Sequence, residues 1–167
     1  RFYRDKGDKT MLGPDQKKWL KKELSKATGK FKVIASGTMF ADGADKDGKD
    51  SWAGDWSREE RDEIFDLITE KRIDGVLLIA GDRHRSDIWK TERPGYPLYE
   101  FVSAKVTNLH THRTYDNAVW SYNEGNFWGQ LNFDLTLKDP IMTFRCVNIT
   151  GKVVKEFPIK LSEISHE

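Results

Sequence analysis

The sequence has little cysteine: Cys146 is the one thiol in 167 residues. A single thiol excludes an intramolecular disulfide and a cysteine zinc cluster, and its place in a strand-like run reads as a small buried hydrophobe. No apolar run is long enough for a membrane span, and no secretory leader is visible. Neither sign of charge is in excess, with 28 Lys and Arg against 27 Asp and Glu. That balance provides no field for steering to nucleic acid, so nucleic acid is not an expected partner; local positive charge still suffices for a small phosphate-bearing substrate. The G-x-S-x-G nucleophile elbow and the Gly-rich loops that cradle nucleotides are also missing, which removes two large classes of chemistry.

What is present reads as a globular domain. Six tryptophans and nine phenylalanines need burial, which excludes a disordered chain, while 33% charged residues give a wet surface. The length suffices for one domain with a core. The chain opens on "RFYRD" as if cut inside an element, and is expected to be a fragment of a longer protein.

Periodicity gives the elements. "GPDQKKWLKKELSKATG" reads as a helix, with Pro14 in its first turn, a stripe of Trp19, Leu20, Leu24 and Ala27, and Gly29 at its stop. "KFKVIASG" reads as a strand. "SREERDEIFDLITEKR" reads as a second helix, with Ser57 as N-cap, Glu60 completing a capping box, and Ile64, Leu67 and Ile68 facing inward. "GVLLIA" is a continuous apolar run, as in a strand covered on both sides. The first half therefore reads helix, strand, loop, helix, strand, a layered α/β arrangement. Beyond Asp87, four further strands are expected in "YPLYEFVSA", "NFWGQLNFDLTL", "IMTFRCVNIT" and "KVVKEFPIKL", the last two joined by a glycine turn. In "NFWGQLNFDLTL" Phe127, Gly129, Leu131, Phe133, Leu135 and Leu137 alternate onto one face. Residues 103–125 read as a loop of uncertain shape.

Three constellations could carry chemistry. The loop "DGADKDGKD" fails as a calcium loop, because Gly43 stands at the first-acid position and Gly54 at the bidentate-glutamate position. His110 and His112 have the i, i+2 spacing that puts two rings on one side of an extended segment; they are either metal ligands lacking a third partner or ordinary exposed histidines. In "VLLIAGDRHRSD" the strand runs into Gly81, whose freedom would let the backbone turn, and then into Asp82 and His84. Strand ends at a carboxyl edge gather ligands. Two such residues on extended backbone could aim at one point, a carboxylate and an imidazole suited to iron, manganese or zinc. The alternative is a polar turn capping the strand.

The order of several segments resembles the C-terminal half of the PhoD-like metallophosphatases, relatives of the calcineurin-like phosphoesterases. "RFYRD" is similar to the end of that family's R-x-x-R strand, "MLGPDQKKWLKKEL" to its LG-x-x-Q-x-x-W-L helix, and "DSWAGDWSREERDEIFDLI" to its D-x-W-x-G helix entry. "VLLIAGDRHRS" is similar to its GD-x-H strand end, and "LYEFVSA" to the strand after it. The resemblance implies an α/β (α+β) fold, part of a four-layer αββα sandwich with antiparallel strands at the C-terminal end. It implies one domain over 1–167, with an α/β part to residue 90 and a mostly β part from 91.

The activity implied is hydrolysis of phosphate esters by metal-activated water, with Asp82 and His84 as metal ligands and His84 and Arg4 in catalysis. Arg1, Arg4 and Trp52 would contact substrate, and Asp50 and Asp55 would lie near the pocket mouth. Iron and calcium are the implied metals, with manganese or zinc as substitutes, and the location implied is periplasmic or extracellular. The family's remaining ligands come from an N-terminal half that this sequence does not contain, so the fragment alone is expected to be inactive or metal-poor unless that half is present. A different expectation is a noncatalytic module whose aromatic stretch 115–133 binds carbohydrate or protein.

Overall fold

The structure, a computed structural model, describes residues 3–5, 8–44 and 51–167. A short antiparallel hairpin, β1 (Tyr3–Asp5) and β2 (Asp8–Thr10), leads into helix α1 (Gly13–Lys26). Thr10 Oγ1 accepts the Gly13 N–H at 3.0 Å, so one orphan donor of the helix start is satisfied from outside the helix. Strand β3 (Lys32–Ser36) follows, then α2 (Arg58–Glu70) and β4 (Val76–Ala80). The order helix, strand, loop, helix, strand is the one expected.

The capping box at α2 is not formed. Ser57 does stand at the N-cap, but it is buried and its Oγ donates to the carbonyls of Ser51 (2.6 Å) and Gly54 (3.2 Å). Glu60 instead accepts the Met11 N–H at 2.6 Å. Carbonyls of the largely buried 51–57 turn and a half-buried amide at the entrance to α1 need partners too, and meeting them outweighs a local cap.

One sheet is ordered β3-β4-β6-β5-β7, with β5 at Ser86–Thr91, β6 at Leu98–Ser103 and β7 at Trp120–Tyr122. Strands β3, β4 and β6 run parallel; β5 is antiparallel to β6 and to β7. The second sheet is antiparallel, ordered β10-β9-β8, from β8 (Phe127–Asp134), β9 (Ile141–Asn148) and β10 (Val153–Lys160). At the β9–β10 turn Gly151 takes φ +82°, and Asn148 Oδ1 accepts the N–H groups of Thr150 and Lys152. Cys146 lies fully buried on β9, as its surroundings in sequence suggested, and burial pushes its thiol up to about 11.

The two sheets pack face to face. Phe101 of β6 stacks on Phe144 of β9 with centroids 4.8 Å apart, and Ala35, Ile79 and Leu131 line the same interlayer space. Alternation turns Ile34 to the opposite side, where it meets Leu24 of α1 and Ile64 of α2. The result is helices on sheet on sheet, a mixed α/β sandwich, with β4 wholly enclosed at Val76, Leu77 and Leu78. The β8 alternation holds at Phe127 and Leu131, weakens at Phe133, which is exposed although its ring meets Phe31, and fails at Leu135 and Leu137, which are exposed. There β8 has already ended, since Asp134 Oδ1 turns the chain by accepting the N–H and Oγ of Thr136. Among the described residues no helix is long and apolar enough to cross a membrane.

Glu100 fastens the loop after β3 to this sheet. Its two carboxylate oxygens accept the N–H groups of Phe40 and Ala41, each at 2.8 Å, with the side chain almost wholly buried. Burial pushes its carboxyl up to about 7 from an ordinary 4.5, against the pull of those two amides. The folded state therefore holds this proton more tightly than the unfolded chain. Glu100 contributes most to stability below about pH 4.5, and that contribution falls as the pH rises to about 7, by about 3 kcal/mol at most. Glu100→Gln has no titrating group and one acceptor oxygen, so it carries a constant loss. Urea midpoints measured from pH 5 to 7.5 should show the wild-type advantage over Glu100→Gln shrinking as pH rises; a constant gap would contradict this.

Candidate functional site

The sheet order brings two loops together. Strands β4 and β5 lie on either side of β6, so the five residues 81–85 must cross about 10 Å over the carboxyl end of β6. The segment leaving that end of β6, residues 104–119, must pass the same place before β7. Both loops thus share the carboxyl edge of parallel strands, where ligand sites form in α/β sheets.

The crossing is not extended backbone, and Gly81 is not its hinge. Asp82 and His84 take left-handed conformations, φ +73° and +49°. Asparagine, aspartate and histidine are the side chains most often found in that region, which still costs a non-glycine residue about 1 kcal/mol or more. The crossing is short, and two left-handed residues supply the bend that an extended pair could not. Strain of this kind persists where the surroundings over-determine the backbone.

His84 meets the two loop histidines. One ligand atom from each of His84, His110 and His112 lies within 4.8 Å of the others. Their ring centroids are 5.5 Å (His84–His110), 5.7 Å (His84–His112) and 4.8 Å (His110–His112) apart. Thus three of the chain's four histidines form one cluster. Several bonds hold the loop in place. Asn108 Oδ1 accepts the His110 N–H at 2.9 Å, which orients its amide so that Nδ2 faces His84 Nε2 at 3.2 Å. Thr111 Oγ1 donates to the His84 carbonyl at 2.9 Å, and Asn123 Nδ2 to the His112 carbonyl at 2.9 Å. His84 Nδ1 is buried with no partner among the described residues. Burial, then Arg83, His110, Arg85 and His84, hold the His112 imidazole below its ordinary range.

Beneath the crossing lies a buried ion pair. Asp87 Oδ2 accepts from Arg85 Nε (2.6 Å) and Trp89 Nε1 (3.2 Å), and Oδ1 from Ser121 Oγ (2.6 Å). Arg85 and Asp87 are both fully buried, and the Arg85 guanidinium sits 4.4 Å from the Tyr115 ring centroid. Asp87 thus joins the crossing, β5 and β7.

The other expected residues lie elsewhere. Asp82 borders a groove of about 900 Å³ between α1 and β3, with Trp19, Leu20, Val33 and Trp52, and it is not a member of the histidine cluster. Trp52 is buried, its Nε1 donating to Ser36 Oγ at 2.9 Å and its ring stacked on Phe40 at 5.3 Å. Arg4 stands opposite Lys9 in the backbone register of the β1–β2 hairpin. Arg1 and Asp50 lie outside the described residues, and Asp55 is exposed. Of the aromatic stretch 115–133, Phe127 is wholly buried against Tyr122 and Trp120 stacks on Tyr122, while Trp128 and Phe133 stay exposed.

A family model described as PhoD-like phosphatase matches residues 2–137. Among curated proteins, alkaline phosphatase D of Bacillus subtilis (strain 168) is 28% identical over 114 residues, covering 60% of this chain and 19% of that protein. The chain therefore spans only a small part of that relative's length. Among solved structures, one of PhoD matches 88% of this chain and 36% of its own, at a TM-score of 0.58 and 18% identity. GAP50, the anchor in the inner membrane complex of Plasmodium, matches 96% of this chain and 53% of its own, at a TM-score of 0.56 and 11% identity. Both likenesses speak for the fold alone.

Proposed function

The chain belongs to the PhoD-like phosphatase family, and on that footing we propose that it is the C-terminal part of a metal-dependent phosphatase or phosphodiesterase. The observation that carries the proposal is the turn at Asp82 and His84. An acid and an imidazole stand on strained backbone at the carboxyl edge of parallel β4, in the stretch the family model covers. A carboxylate and an imidazole fit iron, manganese or zinc, and the carboxylate also fits calcium. Metal bound there would supply Lewis acidity and a water of lowered pKa.

The chain's own residues orient and neutralise. Asp82 would hold metal through oxygen and His84 through nitrogen, each fixed by a backbone that the crossing over β6 leaves little freedom. Arg4 and Arg1 would meet phosphate oxygens as donors, offering paired N–H groups to the charge that grows as the ester bond breaks. Trp52 would act through shape, keeping Phe40 and Ser36 in place along the groove that Asp82 borders. Two ligands do not hold a two-metal centre. The remaining ligands would come from an N-terminal half seated along β3, which is an edge strand with Val33 exposed. On this reading the isolated chain is inactive, the substrate is a phosphate ester, and the location is periplasmic or extracellular.

The test is phosphate release from a monoester and a diester by the full-length protein, stripped of metal and then supplied with iron, calcium, manganese or zinc. Hydrolysis that disappears on stripping and returns with at least one of these metals supports the proposal. No hydrolysis of either ester with any of them overturns it.

A further inference from the structure

We propose that His84, His110 and His112 form one three-nitrogen site for a transition metal of the zinc type. The inference rests on the metal-dependent reading above and extends it to two ligands contributed by the loop between β6 and β7. A tetrahedral ion with three imidazoles at about 2.05 Å places their ring centroids about 5.2 Å apart, and a trigonal arrangement about 5.5 Å. The observed separations of 4.8, 5.5 and 5.7 Å bracket those values. The candidate ligand atoms lie within 4.8 Å of one another, against about 3.4 Å in a closed tetrahedral site. Small side-chain rotations close that gap, because the rings of His110 and His112 stand on a loop at the surface.

The main chain around the rings is already placed. Thr111 ties the loop to the His84 carbonyl, Asn123 holds the His112 carbonyl, and Asn108 bridges the His110 N–H and the His84 ring. These contacts fix the main chain that carries the rings, which narrows the points the three imidazoles can reach. Asn108 Nδ2 now faces the His84 Nε2 lone pair at 3.2 Å, so loading through Nε2 exchanges an amide contact for a metal bond. The buried Nδ1 of His84, without a partner among the described residues, is the other nitrogen able to meet an ion.

Three imidazole nitrogens select the metal. Calcium and magnesium require oxygen, whereas imidazole suits zinc, cobalt, nickel and copper. Three protein ligands leave a fourth position open for water or a phosphate oxygen, the pattern of catalytic rather than structural zinc sites.

The test is titration of Zn²⁺ into the metal-stripped protein, with the histidine side chains followed by NMR. One equivalent should shift His84, His110 and His112 together and leave His166, paired with Asp74, unmoved. Calcium should shift none of the three. His110→Ala and His112→Ala should each weaken zinc binding about 100-fold or more. Zinc that shifts His84 alone, or binds both loop variants as tightly as the wild type, overturns the site. The outcomes for the two readings separate. A triad that binds zinc in a protein that hydrolyses no phosphate ester keeps the site and removes the enzymatic reading. Metal-dependent hydrolysis with wild-type zinc affinity in both loop variants does the reverse.

Discussion

Asp87→Ala should lower the stability of the fold by about 3–5 kcal/mol. The reason is what it leaves behind. Arg85 is fully buried, and its Nη1 and Nη2 have no partner among the described residues. Burial, above all, pulls its pKa down, and the Asp87 carboxylate works against that pull. With Asp87 gone, a guanidinium remains inside the protein with, among the described residues, the face of Tyr115 to stabilise it. Ser121 Oγ and Trp89 Nε1 lose their acceptor at the same time. Against a total of about 5–15 kcal/mol for a domain, such a loss unfolds much of the population at 37 °C. Urea unfolding should show the midpoint falling with little change in slope. Replacing Arg85 and Asp87 together by apolar residues should recover most of the loss, because the uncompensated charge is then removed too. A loss under about 1 kcal/mol for Asp87→Ala would mean that the pair is not the anchor its geometry indicates.

Legibility in the sequence followed how local each signal was. The enclosed strand β4 shows in its unbroken apolar run, and α2 shows in Ile64 and Ile68, both buried where the stripe put them. Strand β5 was not expected, because its first residues, Ser86 and Asp87, are polar; they are fully buried only because Val102, Arg85 and Ser121 bond them. Strand β7 was hidden inside a stretch that reads as loop, since three residues carry no measurable period. The turn at Asp82 was legible as the end of a strand, but its left-handed backbone was not. The crossing over β6 imposes that conformation, and the strand order is not written in residues 81–85.

The histidine cluster was half visible. His110 and His112 showed their spacing but lacked a third ligand, and His84 was paired in sequence with Asp82 instead. The signal that joins them is the adjacency of β4 and β6, which are separated in the chain by β5. The capping box at Ser57 and Glu60 was a local signal overruled by tertiary bonds to Ser51, Gly54 and Met11.

The second large effect concerns Asp82. Loss of a ligand that positions a Lewis acid removes several kcal/mol of transition-state stabilisation, which is on the order of a thousandfold in rate. Alanine is a poor probe at this position, because φ is +73° and a strained backbone would mix a folding defect with a chemical one. Asparagine is at home in that conformation, keeps the size, and removes the charge. The most direct measurement is therefore kcat/KM for phosphate-ester hydrolysis by the full-length protein and its Asp82→Asn variant, at equal metal and with equal urea midpoints. A drop on the order of a thousandfold in the variant is the predicted result. Equal rates would contradict the placement of the metal edge at Asp82 and His84.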